Sequence, residues 1–131
     1  MMFKFNMLEE IKMTDELQEL LQSYKSYSER AIQQLDAVSE KCYQNEQAFV
    51  WDAVEDFVDA MEYITKGLVY ISNTYESFSA LNHVFTEQFK GLLQAMEDKD
   101  MVAIGDILSY EIKPLFEQLL VKIEEVSLDS R

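Results

Sequence analysis

Chemistry in a small protein needs a histidine, an active thiol, converging carboxylates or a phosphate-cradling loop, and this chain is poor in all four. Its one histidine is His83. A carboxylate-bridged di-metal site in a helical bundle needs Glu-x-x-His pairs aimed inward, but the residue three before His83 is Ala80. At about 100° per residue, His83 points roughly 160° away from Phe85, which predicts a solvated surface histidine. The one cysteine, Cys42, falls in phase with Tyr24, Leu35 and Val38. A thiol on such a stripe acts as a small hydrophobe of raised pKa, and alone it makes neither an internal disulfide nor a cysteine-rich metal site. Gly67, Gly91 and Gly105 are isolated, so no glycine-rich nucleotide loop is present. Asp52, Glu55, Asp56, Asp59 and Glu62 cluster opposite the Phe57 stripe, as a solvated face or a contact surface for a basic partner. One convex helix surface does not converge the six to eight oxygens that a hard cation needs. The expectation is no catalytic set, no cofactor, no metal and no enzyme.

The elements that position these residues follow from composition. The chain has 131 residues, 48% of them hydrophobic, with three glycines and one proline. That balance predicts one domain of long regular elements with short connections. The net charge of −14 repels phosphate backbones and anionic headgroups, which disfavours nucleic acid and membrane surfaces as partners. No stretch approaches the roughly 18 apolar residues of a membrane span, and "MMFKFNMLEEIKM" lacks the apolar core of a signal peptide. A cytoplasmic protein is expected. Residues 1–13 read as an N-terminal extension, with Met7 or Met13 as alternative starts, or as the beginning of helix 1.

Four amphipathic stripes occupy residues 14–128. The first helix, about 14–43, carries Leu17, Leu20, Leu21, Tyr24, Ala31, Leu35, Val38 and Cys42. In the second, Val50, Val54, Phe57, Met61, Ile64, Leu68 and Ile71 alternate steps of four and three. Asn73 to Glu76, "NTYE", reads as a capping box opening the third, whose stripe is Phe78, Leu81, Phe85, Phe89, Leu92 and Met96. Asp98 or Asp100 caps the fourth, lined by Ile104, Leu108, Leu115, Leu119, Ile123 and Val126, with Ile112 and Phe116 widening its face. Breaks of only a few residues predict an all-α, up-down-up-down antiparallel four-helix bundle.

Pro114 lies inside the fourth stripe. A proline there removes a backbone hydrogen bond and crowds the carbonyl of Tyr110, yet the stripe stays in phase across it, so a kinked, continuing helix is expected. Glu111 falls at the edge of the apolar arc, and Gly105 within it permits close helix approach. Tyr110, Glu111 and Pro114 are therefore candidates to shape a groove against helix 1 or helix 3. Tyr63 and Tyr70, seven residues apart on the outward side of helix 2, are further candidate contacts beside Asp56 and Asp59. The run Lys99-Asp100, Val102, Ile104, Asp106, Leu108, Tyr110-Glu111-Ile112, Pro114-Leu115 resembles the C-terminal signature of a family of small uncharacterised helical proteins of Gram-positive bacteria. That resemblance covers about 17 residues and implies no activity. In architecture alone, the chain is also similar to small helical export chaperones of flagellar type.

Two functions compete. The first is a non-enzymatic bundle that binds another protein, as an adaptor or export-chaperone-like factor. The second is an acidic inhibitor, of antitoxin or immunity type, covering a basic partner. A homodimer would use the same aromatic surface.

Overall fold

The computed structural model describes the backbone of residues 2–129 and the side chains of residues 15–126. The side chains of the expected N-terminal extension, 1–13, lie outside the described residues. Among the described residues the structure is all-α, in four helices. These are α1 (Met2–Tyr43), α2 (Gln47–Thr74), α3 (Ser77–Glu97) and a last helix over 101–129. The last helix has three parts: α4 (Met101–Asp106), a π-helical stretch (Ile107–Ile112) and α5 (Lys113–Asp129).

The stripes counted along the chain are the core. All seven α2 positions are buried, and so are all eight counted on the last helix. Tyr27 of α1, Phe57 of α2 and Phe85 of α3 all pack on Phe116 of α5, with ring centroids 5.7, 6.1 and 5.3 Å away. Each helix thus sends one ring to a single aromatic centre. Two serines interrupt the α1 stripe. The Ser39 hydroxyl donates to the Gly105 carbonyl at 2.8 Å, whereas the buried Ser28 hydroxyl has no hydrogen-bond partner among the described residues.

Two of the three turns share one chain-stopping device. Asn45 and Lys99 take left-handed φ values of 58° and 54°. Behind them, Glu46 N–H bonds to the Lys41 carbonyl and Asp100 N–H to the Ala95 carbonyl, which closes a Schellman motif at each helix end. Asparagine tolerates that conformation better than lysine does. Of the two proposed caps for the last helix, Asp100 fills the role by accepting from Ala103 N–H at 3.1 Å, and Asp98 instead ends α3.

The capping box at Asn73 is not formed. α2 continues through Thr74, because Tyr75 N–H still reaches the Ile71 carbonyl at 2.8 Å, and α3 opens only at Ser77. There the amides of Phe78 and Ser79 bond to the carbonyls of Tyr75 and Glu76, so no side chain is needed as a cap.

The proline also differs from a simple kink. Lys113 N–H bonds to the Leu108 carbonyl, five residues back, so the turn before Pro114 is wider than an α-turn. The wider turn makes room for the pyrrolidine ring. It also absorbs the drift of two successive steps of four, so that Ile104, Leu108 and Ile112 are all buried before the stripe resumes at Leu115.

Candidate functional site

α1 and α2 touch closely at one end. The Tyr24 hydroxyl, on a ring with 0% exposure, donates to the carbonyls of Tyr63 at 2.8 Å and Ile64 at 3.1 Å. It occupies the notch left by Gly67, where an added Cβ would lie 1.7 Å from the phenol oxygen. The Tyr63 ring stands edge-on to Tyr24 with centroids 5.4 Å apart, and the Tyr70 hydroxyl donates to Glu16 at 3.4 Å. The other side of α1 is tied to the last helix. Lys113 reaches Asp36 at 2.6 Å, and the Tyr43 hydroxyl donates to Asp106.

Between the Tyr24 contact and the turn after Tyr43, the α1 and α2 surfaces part into a groove of about 520 Å³. Its walls are Tyr27, Ala31, Leu35, Ala37 and Val38 from α1, and Phe49, Ala53, Val54, Phe57 and Ala60 from α2, with Leu108 reaching in from the last helix. Four alanines on its walls explain the opening, because a methyl side chain does not bridge two helices that Tyr24 and the turn hold at fixed separation. Gln33, Gln34 and Asp56 supply the polar edge. Residues 27–38 and 49–60 each span about 16 Å of helix, or three turns. Concave, mostly apolar clefts with a few polar groups are the usual form of ligand and partner sites.

The candidates from the sequence distribute unevenly over this geometry. Asp56 lines the groove; Asp59 is exposed on the adjoining shoulder of α2. Tyr63 is 54% exposed and Tyr70 is half-buried, both beyond the groove toward the Tyr24 contact. Tyr110 is 70% exposed, Glu111 is exposed and Pro114 is half-buried, and none of the three is a groove wall. Tyr27, Phe49, Ala53 and Ala60 are the residues that counting overlooked. The seven-residue spacing of Ala53 and Ala60 beside an exposed Phe49 was their available signal.

Burial pushes the Tyr27 hydroxyl up to about 12, against the opposing pull of Arg30, and raises Tyr24 further still. Burial also raises the Cys42 thiol, which suits a packing side chain and not a nucleophile. The Tyr43 hydroxyl is raised by its hydrogen bond to Asp106, and Lys113 by its bond to Asp36. The buried Tyr24 and the half-buried Tyr27 predict an alkaline limit. Both groups are neutral below the ordinary tyrosine value of 10.0 in either state, so their contribution is constant there. Above it the unfolded chain ionises while the folded chain keeps its protons, and stability falls. Thermal melts from pH 8 to 12 should therefore show a steep decline above pH 10, shallower in Tyr24→Phe.

Among the described residues, no three His, Cys, Asp or Glu side chains are grouped to hold a metal ion. No described helix is long and apolar enough to cross a membrane. The chain matches no curated protein and no solved structure. A family match does cover α2, α3, most of α1 and the last helix through Lys122, and so takes in both groove walls and the Tyr110–Pro114 turn. By that match over residues 19–122, the chain belongs to the domain-of-unknown-function family DUF8042.

Proposed function

We propose that this chain is a non-enzymatic, cytoplasmic protein-binding bundle, an adaptor or export-chaperone-like factor that receives a partner helix between α1 and α2. The single observation behind it is the three-turn apolar groove with an aromatic ring toward each end, Tyr27 and Phe49. Amphipathic helices bind such grooves through residues at i, i+4 and i+7. On this reading the helices run up-down-up-down and antiparallel. Contacts support that: partners of α1 fall in number as α1 rises, from Glu16 with Tyr70 to Tyr24 with Tyr63, and from Tyr27 with Phe116 to Ser39 with Gly105. Tyr110, Glu111 and Pro114 form a secondary contact surface, and the signature around them suggests a bacterial origin.

A second reading, an acidic inhibitor of a basic protein, draws on the carboxylates Asp52, Asp56 and Asp59. None of these forms an ion pair among the described residues. A homodimer on the same surface would bring together two chains of −14 each, which charge repulsion opposes.

Filling the groove separates binding from folding. Ala53→Leu with Ala60→Leu places apolar atoms in the open space, so the melting temperature should hold or rise. Partner capture should drop at least tenfold. Undiminished capture by the filled variant would remove the groove from the binding surface.

A further inference from the structure

We infer that the occupant of the α1/α2 groove is an amphipathic helix of about three turns, apolar toward the groove and carrying Lys or Arg along the flank that faces α2. This rests on the groove being a binding site and adds the chemistry of its partner. The two sides of the groove are electrostatically unlike. On the α1 side the cations are already engaged. Arg30 lies over the Tyr27 ring at 5.8 Å, with its Nε donating to the Ser26 carbonyl at 3.5 Å. Lys41 lies over the Phe49 ring at 5.9 Å and pairs with Glu46 at 3.1 Å. Between them the polar residues of α1 that line the groove are the neutral Gln33 and Gln34, while Asp36 is turned to Lys113 of the last helix.

On the α2 side, Asp52, Asp56 and Asp59 are exposed and follow one another at steps of four and three, so they form one row about 10 Å long. No ion pair among the described residues neutralises any of them, and Asp56 is itself a groove wall. A helix seated in the groove brings one flank against this row and the other against the glutamines. A basic flank at the matching spacing meets three unpaired carboxylates at the border of an apolar contact, where solvent screening is weaker than on open surface. An acidic flank meets repulsion from the row and from the whole chain's charge.

The test is selection from a displayed helical-peptide library with leucine fixed at i, i+4, i+7 and i+11 and all flanking positions randomised. It is panned on the full chain at low salt. The expected clones carry Lys or Arg on one flank, bind Asp52→Asn/Asp56→Asn/Asp59→Asn about tenfold more weakly, and fail on Ala53→Leu/Ala60→Leu. Clones without basic bias that bind the asparagine variant equally overturn the charge assignment while leaving the groove in place. Clones that bind the filled variant as well as the parent, or no binding clones at all, overturn the groove and the assignment together. A rise in sedimentation coefficient with concentration that the filled variant abolishes makes the occupant a second copy of the chain and overturns the basic helix.

Discussion

Gly67→Ala is expected to destabilise the fold by about 1–3 kcal/mol, even though it replaces the poorer helix former by the best one. Alanine for glycine inside a helix normally gains about 1 kcal/mol. Here the new methyl would fall 1.7 Å from the phenol oxygen of Tyr24 and 2.7 Å from its Cζ. Tyr24 has no free direction of retreat, because its ring is fully buried and its hydroxyl is held by two α2 carbonyls. Overpacking of a rigid core site costs about 1–3 kcal/mol, and the lost hydrogen bond adds about 1 kcal/mol, so the clash outweighs the propensity. Urea titrations at neutral pH should give that sign. Adding Tyr24→Phe should recover part of the loss, since the nearest contact disappears but Cζ stays close. A more stable Gly67→Ala would mean that α1 and α2 separate there at no cost.

Phe116→Ala should be more damaging, by about 3–5 kcal/mol or a drop of roughly 10–20 °C in melting temperature. Phe116 has 0% exposure and is the ring on which Tyr27, Phe57 and Phe85 converge. Its removal leaves a cavity and three aromatic faces without their partner. Tyr27 and Phe57 are also groove walls, so the ring that closes the core shapes the groove from beneath. Phe116→Leu keeps most of the volume. It should cost less than about 2 kcal/mol, yet still weaken partner binding by releasing the edge contacts that orient Tyr27 and Phe57. Unchanged binding in Phe116→Leu would show that the groove walls hold their positions without it.

The stripes were readable because burial on a helix repeats at three and four residues, and a run such as Val50 to Ile71 leaves that period no competitor. The π turn was half-visible. Ile104, Leu108 and Ile112 step by four toward a proline, but a stripe records which residues face inward and not how many complete a turn. Helix ends followed the same division. Asp100 works as a cap because its neighbours are free to turn, whereas Asn73 was absorbed into α2 once a backbone bond to Ile71 carried the helix further.

The groove was the least readable feature. It exists because alanines on two different helices face each other across a separation set by Tyr24 at one end and a short turn at the other. Periodicity treats alanine as neutral, and no local pattern links Tyr24 to Gly67 across the intervening chain. The one structural expectation tied to a single glycine, close approach at Gly105, does appear. A Cβ there would meet Cys42 Cβ at 3.1 Å and the Ser39 carbonyl at 3.2 Å.

The alanines that open the groove also report on it. In a protein labelled at its alanine methyls, a selected basic helical peptide should shift the NMR signals of Ala31, Ala37, Ala53 and Ala60 and leave Ala80 on α3 and Ala103 on the last helix unmoved. Shifts at Ala103 with the four groove methyls silent would place the binding surface on the last helix beside Tyr110, and would contradict a partner helix between α1 and α2.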